Sequence, residues 1–204
     1  DYRHPAIELL QENGSRISEF QYDSYEIIDG KPKLSGLPAT YTESEEEAQT
    51  LRIFLKDALT GAKLALLYTI FDEYSAIARS AYIENAGEKN LHVLNMMSLS
   101  LDLPDKDYEW MQLSGAWSRE RYIKTRTLEQ GITAIDSMRG NSSHEHNPFL
   151  ALKRHNTDEN AGEAIGISLV YSGNFLAEVE KDQYNQTRIQ MGLSDELFSY
   201  PLAA

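Results

Sequence analysis

The sequence predicts an all-β protein, one large antiparallel β-sandwich with few or no helices. Three observations carry that expectation. Short strand-like runs recur between turn signals at intervals of about fifteen residues through residues 50–101, the spacing of a sandwich or barrel. About twelve such runs can be placed along the chain and few helices compete with them. No Pro/Gly/Ser-rich linker and no repeat of fixed period divides the 204 residues, so 1–204 reads as a single domain.

Taken in order, Pro5 disfavours helix at His4 and leaves the first residues extended. Ala6 to Gln11 reads as a short strand, and Asn13-Gly14 as a hairpin turn into the next one. Arg16 to Ile28 carries Ile17, Phe20, Tyr22, Tyr25, Ile27 and Ile28, a strand composition. Asp29-Gly30-Lys31-Pro32 turns the chain. Leu34 to Tyr41 contains Gly36 and Pro38 and reads as an irregular loop or an edge. Glu43 to Glu47 is an acidic patch. Thr50 to Asp57 fits a strand, although Leu51, Phe54 and Leu55 also fit a helical period. The following segments decide for strand: Ala62 to Phe71, Ser75 to Glu84 and Leu91 to Leu101. In the third of these four runs, Ile77, Ala81 and Ile83 share a side with Arg79, as in a strand partly covered on both faces.

Tyr122 to Arg126, Ile132 to Met138 and Phe149 to Arg154 are predicted strands. His155 to Glu163 is a polar loop. Ala164 to Tyr171 is a nearly continuous apolar strand, turned by Ser172-Gly173-Asn174 so that Phe175 to Glu180 returns antiparallel to it. Thr187 to Leu193 alternates, with Ile189, Met191 and Leu193 opposite Arg188 and Gln190. Phe198 to Ala204 gives no clear stop to a domain.

Composition narrows the function classes. The chain is 41% hydrophobic and 25% charged, as expected of a protein with a real core. A net charge of −13 argues against binding nucleic acid or an anionic membrane surface, both of which select basic faces. Neutral partners, carbohydrates among them, stay open. The absence of cysteine excludes disulfide scaffolds, thiolate metal sites and cysteine nucleophiles, and fits a cytoplasmic location. No apolar run reaches the length of a membrane span and no signal peptide opens the chain. A start at Asp1 without Met suggests a fragment or an excised domain. Asn-x-Ser/Thr sequons at Asn13, Asn141 and Asn185 read as chance occurrences.

Two stretches are dense in chemistry-bearing residues. Asp107 to Glu120 holds both tryptophans, Trp110 and Trp117. Trp117 follows Gly115-Ala116 at a turn, where an indole can present its face to a pyranose and its N–H as a donor. Pattern alone nonetheless favours the core for Trp117, and more strongly for Trp110, which alternates with Tyr108. Enclosure of the Trp117 ring by the chain's own apolar side chains would mark scaffold. A ring protruding on a loop would mark a site.

The second stretch runs from Arg139 to Phe149. Its His144-x-His146 pattern puts two imidazoles on one strand face, half of many metal sites, but no third ligand lies nearby and no metal is expected. No Gly-x-Ser-x-Gly elbow accompanies Ser142 and Ser143. Ser142, Ser143, His144 and Asn147 read instead as residues that bond backbone and shape a loop. Asp107 and Glu120 flank the tryptophans, but acids are too many for any pair to be diagnostic of a glycosidase. No phosphate-binding glycine fingerprint is present and no cofactor is expected.

The residues that remain form a recognisable ordered set: Asp1-Tyr-Arg-His-Pro-Ala6, Gly30-Lys-Pro-Lys-Leu-Ser-Gly-Leu-Pro-Ala-Thr-Tyr41, Asp107-Tyr-Glu-Trp110, Gly115-Ala-Trp-Ser-Arg-Glu120, Ser142-Ser-His-Glu-His-Asn-Pro-Phe149 and Tyr171-Ser-Gly-Asn-Phe-Leu176. With them the chain resembles the N-terminal domain of bacterial α-galactosidases of glycoside hydrolase family 36. The resemblance implies a β-supersandwich that precedes a (β/α)8 catalytic barrel and a small C-terminal β domain. It implies a retaining hydrolase of terminal α-galactosides such as melibiose, raffinose and stachyose. The two catalytic aspartates of such an enzyme sit on the barrel, so no residue of this chain is expected to be catalytic.

The resemblance also implies a homotetramer, with this domain helping to complete the sugar pocket. Trp117 matches the tryptophan of the family's Gly-Ala-Trp motif, a substrate-binding residue. The family's other sugar contact from this domain is an acid that would precede Asp1. Ser114 departs from the proline that relatives often carry there, with little functional consequence expected. The alternatives are a purely structural or oligomerisation domain of that enzyme, and a free-standing carbohydrate-binding module.

Overall fold

The computed structural model describes residues 4–105, 107–184 and 186–204. The Asp1-Tyr-Arg part of the first motif and the sequon at Asn185 lie outside them. Among the described residues there are fifteen strands and two three-residue 3-10 turns, at Glu45–Glu47 and Asp72–Tyr74. The strands are β1 (Ile7–Gln11), β2 (Phe20–Asp29), β3 (Gln49–Asp57), β4 (Ala62–Phe71), β5 (Ala76–Asn85), β6 (Leu91–Met96), β7 (Leu99–Leu103) and β8 (Glu109–Ala116). They continue with β9 (Arg119–Thr127), β10 (Gly131–Ser137), β11 (His146–Lys153), β12 (Ala164–Ser168), β13 (Phe175–Lys181), β14 (Thr187–Leu193) and β15 (Tyr200–Leu202). All strand pairs are antiparallel, and the predicted all-β sandwich class is the class observed.

The chain forms two compact units. One comprises residues 1–6 and 99–194, the other residues 7–98 and 195–204. In the first, a sheet ordered β10-β13-β14-β7 faces a sheet ordered β12-β11-β8-β9. Alternate residues of each inner strand fill the space between them, as the two-residue period of a strand requires. Trp110, Leu150 and Leu152 come from one sheet, and Ile135, Phe175, Ala177, Val179, Ile189 and Met191 from the other. Gln190 and Glu178, on the reverse side of β14 and β13, are buried as well. His4 bonds Glu178 through Nδ1 at 2.7 Å, which ties His4 to this unit.

In the second unit the meander β2-β3-β4-β5 and the three-stranded sheet β1-β6-β15 share a smaller core of Leu9, Ala62, Leu91 and Val93. Phe20, Ile83, Met96, Phe198 and Leu202 pack around it. That core covers only one end of an apolar sheet face. Further along, Tyr25, Ile53, Leu66 and Ala81 stand in register across the four strands, and Ile27, Leu51, Tyr68 and Arg79 form the next row. Ile27 and, one row on, Ile77 are exposed by 62% and 66%. The opposite face carries the ion pairs Glu26–Arg52 and Lys63–Glu84.

Three connections differ from expectation. The Asn13-Gly14 turn forms, with Gly14 at φ 83° and its N–H donating to Gln11 O, but β1 pairs with β6 and β2 with β3. The strand after the turn begins only at Phe20, too late for a tight two-residue hairpin to dictate the pairing. The run from Leu91 to Leu101 is two strands, interrupted at Met97-Ser98 where the chain leaves one unit for the other. The strands β12 and β13 do not pair. The strand β12 pairs with β11 across the polar loop 155–163, whereas β13 lies between β10 and β14 in the other sheet. Thr50 to Asp57 is strand, not helix, and Leu34 to Tyr41 is irregular.

Candidate site at the tip of the β8–β9 hairpin

The strands β8 and β9 form a hairpin closed by the two residues Trp117 and Ser118, between the paired Ala116 and Arg119. Ser118 adopts φ 61°, a left-handed conformation that costs a non-glycine residue roughly 1–2 kcal/mol. Its backbone N–H donates to Glu120 Oε1 at 2.9 Å, which offsets part of that cost. Ser114 pairs with Tyr122 and Ala116 with Arg119, so Gly115 faces two residues of β9, a bulge with Arg121 at φ 62°. Only glycine fits there: a Cβ on Gly115 would lie 2.2 Å from Arg119 O and 2.8 Å from Glu120 Cα.

The turn aims the Trp117 indole into solvent, 81% exposed. Trp110 on the same strand is fully buried. Sequence pattern alone favours the core for both, and this holds for Trp110, which alternates with Tyr108, but not for Trp117. Residue 117 lies beyond the paired strand, where alternation no longer assigns a face. A large exposed indole supplies an apolar plane and one N–H donor, a surface that can stack on the C–H face of a sugar ring.

The second dense stretch lies beside the hairpin. Gly115 N donates to Glu145 O at 3.0 Å, and His146 opens β11 opposite Ser114. His144 is exposed and precedes the strand, so the two imidazoles do not converge. Among the described residues no group of three His, Asp or Glu is arranged to hold a metal ion. Ser143 Oγ accepts from Glu145 N at 3.1 Å, a loop-shaping bond of the kind expected. Near the tip, the side chain of Ser114 on β8 bonds His146 at 2.8 Å. Sequence pattern did not single out this link or Gln112, because Ser114 and His146 lie far apart along the chain.

The acids of the hairpin are engaged in structure. Glu120 caps the turn. At the other end, Glu109 meets Lys153 Nζ at 2.8 Å and His155 Nδ1 at 3.1 Å, and hydrogen bonds from Lys153 and then His155 hold its carboxyl below the usual range. Arg154 lies 4.1 Å from the Tyr108 ring centre and donates to Asp105 Oδ1 at 2.9 Å, lowering that carboxyl's pKa.

The chain is all-β, and the tip of its β8–β9 hairpin presents an exposed indole. The comparisons specify the family. The chain belongs to the glycosyl hydrolase family 36 N-terminal domain, whose model matches residues 1–203. It is 48% identical over 202 residues to alpha-galactosidase AgaA of Geobacillus stearothermophilus, covering 99% of this chain and 28% of that protein. It is 41% identical to alpha-galactosidase Mel36A of Lactobacillus acidophilus, again over 99% of this chain and 28% of the relative. The crystal structure of AgaA superposes with a TM-score of 0.98 over all of this chain. Variants of AgaA have been crystallised with raffinose and with stachyose.

Proposed function

We propose that this chain is the N-terminal domain, acting as one domain over 1–204, of a retaining α-galactosidase that hydrolyses terminal α-galactosides such as melibiose, raffinose and stachyose. Its own contribution is Trp117, which stacks on the sugar and helps complete the pocket. The aspartate pair that performs the chemistry belongs to a (β/α)8 barrel outside this chain, and the isolated domain is inactive. The observation that carries this reading is the exposed indole on a tight turn, at the position of the Gly-Ala-Trp motif. The raffinose and stachyose complexes of AgaA supply the substrate class.

The remaining partners are the enzyme's own barrel and three further copies in a homotetramer. The chain spans 28% of the length of AgaA. The open rows on the β2–β5 sheet, with Tyr25, Ile27 and Ile77 exposed, offer an apolar surface for the barrel to cover. No helix among the described residues is long and apolar enough to cross a membrane. A cytoplasmic location accords with the absence of cysteine.

The test is Trp117→Ala in the full-length enzyme. The expected result is a loss of roughly 1–3 kcal/mol in kcat/KM for melibiose and raffinose, the scale of a lost aromatic contact. Wild-type kcat/KM on both sugars would reject the role of Trp117.

A further inference from the structure

A chain of side-chain hydrogen bonds runs along one face of β8 toward the hairpin tip. Trp110 Nε1 donates to Gln112 Oε1 at 2.7 Å. Gln112 Nε2 donates to Ser114 Oγ at 2.6 Å, and that hydroxyl lies 2.8 Å from His146 Nδ1 on β11. Residues 110, 112 and 114 alternate along the strand and so share a face. All three are buried, and His146 is half-buried. Arg126 of β9 reinforces the chain from the other side: its guanidinium donates to Gln112 Oε1 at 2.8 Å and lies 5.2 Å from the Trp110 ring centre.

The donor and acceptor inventory gives the chain a direction. An indole N–H only donates, so the carbonyl end of the Gln112 amide accepts and its NH2 end points onward. Ser114 accepts from that NH2 and shares a bond with His146 Nδ1, in which the hydroxyl donates when His146 is the Nε2–H tautomer and accepts when Nδ1 carries the proton. A buried polar chain of this kind loses more than one bond when a member is removed, because its neighbours are left unpaired.

The position of the last link matters. His146 opposite Ser114 is the pairing of β8 with β11 nearest the tip, followed only by the backbone bond from Gly115 N to Glu145 O. Beyond it, the hydrogen bonds of residues 116–119 to the described residues run within the hairpin. We propose that Ser114 and His146 are positioning residues for Trp117: their bond ties the strained tip to the buried core and holds the indole at one angle. This inference rests on the reading of Trp117 as a sugar contact. An aromatic plane contributes more to binding when its orientation is set in advance, because less rotamer freedom is lost on contact.

The experiment uses the full-length enzyme with Ser114→Ala, His146→Leu and His146→Asn, the last keeping a hydrogen-bonding group near the Nδ1 position. Two readouts are taken: amide hydrogen exchange of the peptide spanning 115–121, and KM and kcat on raffinose. Ser114→Ala and His146→Leu are each expected to speed exchange at the tip and to raise KM by about fivefold, the net worth of one hydrogen bond, with kcat little changed. His146→Asn is expected to restore both. If Trp117→Ala raises KM while Ser114→Ala moves neither readout, the proposal is overturned. Exchange that rises equally throughout residues 99–194 also overturns it, since the link would then serve the whole unit. Faster exchange at the tip, with KM unchanged in both Ser114→Ala and Trp117→Ala, rejects the sugar reading and leaves the positioning of the tip standing.

Discussion

At the base of the β8–β9 hairpin, Trp110 is sealed in a core with Leu150, Leu152 and Phe175; at the tip, Trp117 stands in solvent. The two rings lie on one hairpin and share a side-chain chemistry. What separates them is the layer beneath. The second sheet of the unit covers the base, while the tip extends past the last pairing with β11. The base is therefore held by burial and the tip by local geometry: a glycine at a close crossing, a left-handed serine and one carboxylate cap. A strained turn that carries an exposed aromatic is a feature to connect with function rather than stability.

The contrast can be broken most directly at the two rings. Trp110→Ala removes a fully buried indole and leaves Gln112 Oε1 with one donor fewer, and should destabilise the protein by about 3–5 kcal/mol. Trp117→Ala should stay within about 0.5 kcal/mol of the parent. Denaturant midpoints of the two variants measure the difference, and equal losses would end the distinction between base and tip.

A smaller effect tests the geometry of the tip itself. Gly115→Ala forces a methyl against the Arg119 carbonyl and should cost about 1–3 kcal/mol, the usual range for overpacking. Its activity loss should match or exceed its stability loss, since the crossing sets the turn that carries Trp117. The smallest expected effect lies at the base, where Glu109 bonds Lys153 and His155. Its carboxyl pKa is depressed from 4.5, so the stabilisation it provides is complete above that pH and is lost as pH falls through the lower folded value. Acid unfolding of Glu109→Gln should accordingly show a shallower pH dependence below about 4.5 than the parent. Parallel acid curves would remove Glu109 from the account.

Much of the fold was legible because strand formation is read from local pattern. The boundaries of β3, β4, β5 and β14 fall within a residue or so of the expected ones, each a run of alternating or β-branched residues closed by Gly, Asn or Asp. Pairing was less legible. Asn13-Gly14 made its turn without making a hairpin, and the turn at Ser172 to Asn174 joins strands of different sheets. A turn signal reports a change of direction but not which edge the next strand will join. At the site, Trp117 was visible as a residue at a turn, but pattern alone favoured the core for it. The Ser114–His146 link was not visible, since nothing in either neighbourhood points to the other.

The sequence by itself determined that this chain is built of β-strands, where most of them lie, and to which family its ordered motifs belong. Side-chain alternation and turn chemistry are local properties, and motif order survives without coordinates. Only the tertiary structure decided which strands share a sheet, which apolar faces are covered and that the Trp117 ring points outward. The reason is physical. The backbone hydrogen bonds that join strands are nearly blind to sequence. Whether an aromatic side chain is core or surface depends on what a distant segment places against it.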